Sequence, residues 1–142
     1  MIFWDASALI RAFVASEPGH GQATSLLTRK GQHAASILLP AEATSALLRR
    51  SGRKGVFPAA FLVDLEQTLG ALYLVEIQRE ASDLARQLVK EHRLRGADSI
   101  HLACALLTAR QTGRDSLRFA TSDAEQAEAA RASGLRVITP GL

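Results

Sequence analysis

Four carboxylates stand where a chain could use them for chemistry. Asp5 follows the apolar run Ile2-Phe3-Trp4, and Asp123 follows the run Leu117–Thr121, each just before a helical segment. Asp98 opens the most apolar helical run of the chain, and Glu42 lies in the first turn of a helix begun by Pro40. Acids placed directly after the strands of a parallel sheet share its carboxyl edge, where such sheets bind ligands. If all four converge, their mutual repulsion raises their proton affinity and destabilises the fold until a hard cation neutralises them. Oxygen-only ligation of this kind suits Mg²⁺ or Mn²⁺ rather than zinc. The scatter of His20, His33, His92, His101 and Cys104 also speaks against zinc, since only His101 and Cys104 have the spacing of a ligand pair. That pair lies at i, i+3 on an apolar helix and is expected to be core packing.

Each acid also has a plainer reading. Aspartate is among the preferred N-cap residues, which would account for Asp5 and Asp123. Asp98 could be a buried cap, although an ionised carboxylate at the start of an apolar helix is costly without a partner. Arg93 and Arg95 are its nearest basic residues in sequence, and neither is assigned to it by the sequence. Glu42, taken alone, is simply favourable to a helix dipole.

The elements that would position these acids follow from apolar periodicity and from glycine and proline punctuation. The pattern predicts a strand at Ile2–Trp4, a helix over Ser7–Val14, and a second helix through Ala23, Leu26 and Leu27 that ends near Gly31. A strand is expected over His33–Leu39, then a helix from Pro40 to the break at Ser51–Gly55, a basic, glycine-flanked segment that reads as a mobile connector. Pro58 should start the next helix, with Leu62, Leu65, Leu69 and Leu72 on one face, followed by the strand Tyr73–Val75. An amphipathic helix through Ala81–Val89, a nearly all-apolar helix over Ser99–Arg110, a strand at Leu117–Thr121, a helix over Asp123–Ser133 and a strand at Leu135–Thr139 complete the chain. Strands alternating with helices point to an α/β fold, a single domain over residues 1–142 whose mostly parallel sheet carries helices on both faces.

At 142 residues the chain suffices for one domain, and 47% hydrophobic residues supply its core. A single cysteine excludes a disulfide scaffold and fits a reducing, cytoplasmic location. The longest apolar stretch, Leu102–Leu107, falls far short of the roughly 20 residues of a membrane span. The net charge of +3 comes from 17 basic residues, almost all arginine, whose planar fork matches phosphate, so a nucleic-acid partner is favoured. With 5% aromatic residues, stacking of bases along an aromatic platform is not the expected binding mode.

Taken in order, the motifs Asp5-Ala6-Ser7-Ala8-Leu9, Glu42-Ala43-Thr44-Ser45-Ala46-Leu47, Leu94-Arg95-Gly96-Ala97-Asp98-Ser99-Ile100-His101-Leu102-Ala103 and Phe119-Ala120-Thr121-Ser122-Asp123 resemble those of the PIN-domain family, and within it the VapC-like toxins of toxin-antitoxin pairs. The resemblance spans essentially the whole chain. It implies a Mg²⁺- or Mn²⁺-dependent endoribonuclease with Asp5, Glu42, Asp98 and Asp123 as its catalytic, metal-binding acids, none of them substituted here. Ser7 would support the cluster, with Thr121 and Ser122 as further supporting candidates. Arg11 aligns with a position often basic in the family. Arg49, Arg50, Arg53 and Lys54 are the other candidates for holding an RNA backbone, against the simpler reading of a solvated face. The family further implies a cognate VapB-like antitoxin, homodimer formation and no membrane association. Two alternatives remain: a phosphoacceptor receiver domain, which would show paired acids after the first strand and a lysine after a late one, and a PIN scaffold that binds RNA or protein without cutting.

Overall fold

A computed structural model describes residues 1–51 and 59–142 of the chain. The expected connector with Arg53 and Lys54, and Pro58, lie outside the described residues. Five short strands, β1 (Ile2–Trp4), β2 (His33–Ser36), β3 (Tyr73–Val75), β4 (Arg118–Ala120) and β5 (Arg136–Ile138), form one sheet in the order β3-β2-β1-β4-β5. All four pairings are parallel. The helices are α1 (Ala6–Arg11), α2 (His20–Leu27), α3 (Leu39–Ser51), α4 (Ala59–Ala71), α5 (Arg79–His92), α6 (Gly96–Thr112) and α7 (Ala124–Ala132).

The pleat sorts alternate residues onto two cores. Ile2, Trp4, Ala35 and Ala120 pack with apolar residues of α1 to α4, while Phe3, Ala34 and Phe119 pack with those of α5 to α7. Helices therefore cover both faces, as a fully parallel sheet requires. Trp4 is fully buried and satisfies its indole N–H on His33 Nδ1 at 3.0 Å.

Several boundaries differ from expectation. The strand expected to reach Leu39 ends at Ser36: the Ile37 N–H makes the last ladder bond, to the carbonyl of Val75, and the chain then turns into α3, which begins at Leu39. α1 stops at Arg11, three residues short of Val14. α6 starts two residues before Asp98, with Arg95 as its N-cap residue, so Asp98 is no cap and lies inside the first turn. Arg93 closes α5 in the left-handed conformation, φ 55°, and is occupied in ending that helix.

Topology fixes where a site can lie. From β1 the chain builds outward to β2 and β3, then crosses over through α5 and α6 to β4 on the other flank of β1. The sheet order reverses between β1 and β4, and the crevice beyond the carboxyl ends of these two strands is where an open α/β sheet receives a ligand.

The turn between α1 and α2 is braced by the last residues of the chain. Gly19 has φ 80°, and a Cβ there would fall on the backbone of Pro140 and Gly141. Gly19→Ala should therefore cost about 3 kcal/mol, from left-handed strain plus a backbone shift. Thermal melting should show a drop of roughly 10 °C, and an unchanged midpoint would mean that this contact is easily released.

Candidate active site

Asp5 and Asp123 flank the crevice, and both also serve as N-caps. Asp5 Oδ2 accepts from Ser7 N–H at 2.9 Å and from the Ser7 hydroxyl at 2.5 Å, while Asp123 Oδ1 accepts from Gln126 N–H at 2.8 Å. The two readings of these acids are thus compatible, because a cap uses part of a carboxylate's roughly four acceptor sites. Asp5 is 3% exposed and its Oδ1 takes a further bond from Gln126 Nε2 at 3.2 Å.

Ser7 and Thr121 support the crevice through their hydroxyls. Ser7 Oγ accepts from Ser122 N–H at 2.9 Å, tying the start of α1 to the end of β4. Thr121 Oγ1 accepts from Asp123 N–H at 3.1 Å and donates to Gln126 Oε1 at 2.5 Å. The Ser122 hydroxyl turns away to the carbonyl of Pro140 at 2.8 Å, so Ser122 contributes only its backbone.

Asp98 enters from the first turn of α6 and has no side-chain hydrogen bond among the described residues. Burial, reinforced by the charges of Asp5 and Asp123, pushes its carboxyl up from 3.8 to about 6, against weaker opposing effects of His101 and Arg95. A carboxylate made costly in this way by its neighbours marks a place where positive charge is wanted.

Glu42 comes from the first turn of α3 and reaches His101 of α6, whose Nε2 donates to Glu42 Oε2. His101 is fully buried, and its Nδ1 meets the Ser36 hydroxyl at 2.8 Å. Burial by itself would lower the imidazole pKa; the hydrogen bond to Glu42 and the charges of Asp5, Glu42 and Asp98 outweigh it, so the net shift is upward. The Ser36 hydroxyl can accept from the protonated ring or donate to the neutral one, so both states are satisfied. His101 is thus more than the core packing expected of it. Cys104, one turn on, is core, with a thiol pushed up to about 11 by burial.

Asp5, Ser7, Glu42, Asp98 and Asp123 line one cleft of about 420 Å³, together with Arg49 and Arg95. A second cleft of about 410 Å³ beside β3 and α6 has Glu76 and Glu80 as its acids and no lysine, arginine or histidine among the described residues that line it. Size does not separate the two; chemistry does. The four carboxylates surround their cleft without closing on a common point, and among the described residues no three ligand side chains are drawn together tightly enough to hold an ion as they stand. The donor set nonetheless fits a hard divalent cation: it is all oxygen, and Asp98 is unpaired and electrostatically unsatisfied.

Of the basic residues singled out from sequence, Arg49 alone reaches this cleft among those described. Arg11 donates to the Pro18 carbonyl and braces the turn after α1, and Arg50 pairs with Glu17 at 2.9 Å. Arg95, His101 and Gln126 were not among the expected site residues.

The profile of the PIN-domain family matches residues 2–132. This chain belongs to the PIN-domain family. Among solved structures the PIN domain resembles VapC20 of Mycobacterium tuberculosis, described as a sarcin-ricin loop cleaving toxin, with TM-score 0.70 and 18% identity over 99% of this chain and 100% of the other. It also resembles PAE2754 of Pyrobaculum aerophilum, with TM-score 0.68 and 21% identity over 96% and 82% of the two chains. A third similar structure is VapBC2 of Rickettsia felis bound to a DNA fragment from its promoter, with TM-score 0.65 and 14% identity over 98% of each chain. No curated protein sequence matches the PIN domain. Among the described residues no helix is long and apolar enough to cross a membrane.

The raised pKa of Asp98 in this PIN domain carries a sign for stability. Its folded pKa of about 6 exceeds the ordinary 3.8, so the folded state binds the proton more tightly and loses stability as pH rises between these values. Melting temperatures in EDTA should therefore fall across that window relative to Asp98→Asn, and Mg²⁺ or Mn²⁺ should restore them at pH 7. Parallel pH curves for the two proteins would remove the assigned repulsion.

Proposed function

We propose that this PIN domain is a Mg²⁺- or Mn²⁺-dependent endoribonuclease, the toxin of a VapBC-type pair. The observation that carries the reading is the gathering of four acids from four separated motifs around one cleft at the point where the sheet order reverses. Asp5, Asp98, Asp123 and Glu42 would hold the ion. When bound, it supplies Lewis acidity, lowering the pKa of a coordinated water and offsetting charge on the phosphoryl oxygens.

The chain's own residues supply position and charge. Ser7 and the α1 N-terminus hold Asp5 in place, and His101 orients Glu42. Arg49 of α3 and Arg95 at the start of α6, both lining the cleft of the acids, are suited to phosphates of the RNA. A cytoplasmic location belongs to the same reading. So does a VapB-like antitoxin, supported by the VapBC complex among similar structures, and a homodimeric state is proposed with it.

The open spacing of the four carboxylates favours a second reading, a PIN scaffold that binds RNA or protein without cutting. One experiment separates them. Purified protein should cut RNA in Mg²⁺ or Mn²⁺ but not in EDTA, leaving 5′-phosphate and 3′-hydroxyl ends, and Asp98→Ala should lose the activity. Binding of Mn²⁺ and RNA with no cleavage would favour the scaffold, and 2′,3′-cyclic phosphate ends would exclude attack by water.

A further inference from the structure

Gln126 is a fully buried, uncharged side chain beside Asp5, Asp98 and Asp123, and no reading of the metal-binding set uses it. By sequence it sits three residues after the N-cap Asp123, the position at which a capping box sends glutamine back to the cap's own N–H. Only half of that box forms. Gln126 N–H bonds Asp123 Oδ1, but the Asp123 N–H is taken by Thr121 Oγ1, and the Gln126 amide points elsewhere. Its Nε2 donates to Asp5 Oδ1 at 3.2 Å and to the backbone carbonyl of Asp98 at 3.1 Å, and its Oε1 accepts from the Thr121 hydroxyl at 2.5 Å.

This pattern leaves the amide one orientation. Thr121 presents its hydroxyl hydrogen to one end, so that end must be oxygen, and both hydrogens of the other end then face acceptors. Flipping the amide would set a carbonyl against a carboxylate and a backbone carbonyl. Asp5 consequently has three of its roughly four acceptor sites filled by protein donors, and the open one is on Oδ1, the oxygen Gln126 holds.

We propose that Gln126 is the positioning residue of the metal site, fixing the Asp5 carboxylate to the first turn of α6 so that Asp5 and Asp98 present oxygen to one cation. The inference rests on the metal-dependent reading above and deepens it. Residues that orient ligands through hydrogen bonds typically control metal affinity by 10- to 100-fold.

The test measures Mn²⁺ binding to the RNA-free protein by calorimetry, for the wild type, Gln126→Met, Thr121→Val and Thr121→Ser. Methionine keeps the length and helix preference of glutamine but donates nothing. Expected are a 10- to 100-fold weaker Mn²⁺ affinity for Gln126→Met, a smaller loss for Thr121→Val, which removes the hydroxyl that anchors the amide oxygen and so loosens Nε2 on Asp5, and wild-type affinity for Thr121→Ser, which keeps the hydroxyl. Melting curves establish that each variant folds; if Gln126→Met does not, the Thr121 pair decides. Affinity within twofold of wild type for Gln126→Met, or equal losses for Thr121→Val and Thr121→Ser, overturns the proposal. Absence of Mn²⁺ binding by the wild type overturns both this and the metal-dependent reading, whereas Mn²⁺ binding without RNA cleavage overturns the nuclease alone.

Discussion

Asp5→Asn should lower metal-dependent RNA cleavage by about a thousandfold, the scale set by removing a preorganised charge from a reacting centre, while the protein stays folded. Asparagine caps a helix about as well as aspartate, and its carbonyl oxygen can keep both bonds from Ser7. The asparagine NH₂ then faces Gln126 Nε2, donor against donor, where Asp5 Oδ1 now accepts. That mismatch should cost about 1 kcal/mol, so a small fall in melting temperature accompanies a large fall in rate. Loss of the Asp5 charge also removes one cause of the raised Asp98 pKa, which should move down. Initial rates at saturating Mn²⁺, set beside denaturant midpoints, check the two effects together. Full cleavage by a folded Asp5→Asn protein would remove Asp5 from the chemistry.

His101→Ala should be the more damaging change to stability, by about 3 kcal/mol. It opens a cavity in a fully buried position, leaves the buried Ser36 hydroxyl without its partner and releases Glu42. His101→Gln can still bridge a hydroxyl and a carboxylate and should recover a large part of the loss. Urea midpoints for the two variants check the order. Equal destabilisation by alanine and glutamine would show that ring volume, not the bridge from Ser36 to Glu42, is what the position requires.

How much of this could be read from the sequence depends on the range of each interaction. The strands were legible in their cores because Ile2-Phe3-Trp4 and Tyr73-Leu74-Val75 are short apolar runs and Leu117–Thr121 is apolar apart from Arg118 and Thr121, the composition that strands of a parallel sheet favour. The end of β2 was not legible, since Ile37-Leu38-Leu39 continues the apolar run and only the last pairing, Ser36 with Val75, shows where the sheet stops. The start of α6 was misread because glycine at the first helical position resembles a break.

The acids were visible from their places after strands and in first helical turns. Their supports were hidden. His101 falls on the same helical face as Asp98, three residues on, a spacing that could have flagged it, yet an apolar surrounding made core packing the simpler reading. Gln126 drew no reading at all, since a glutamine three residues after an N-cap aspartate is ordinary in local chemistry. Arg11 and Arg50 looked available for RNA, and only the folded chain sets them against the Pro18 carbonyl and Glu17.

The central place of β1 has a consequence for how the protein comes into being. β1 is made well before its neighbour β4, which begins at residue 118, and the backbone bond from Asp5 N–H to the Ala120 carbonyl closes the long loop between them. At synthesis rates of about 5–20 residues per second, roughly 6–25 s pass between the two. Throughout that interval one edge of β1 stands open and Asp5 lacks Asp123, Gln126 and the Ser7 link to Ser122. A growing chain on the ribosome therefore carries its acids unassembled, and the site comes into existence only once the segment from β4 to Gln126 has been made.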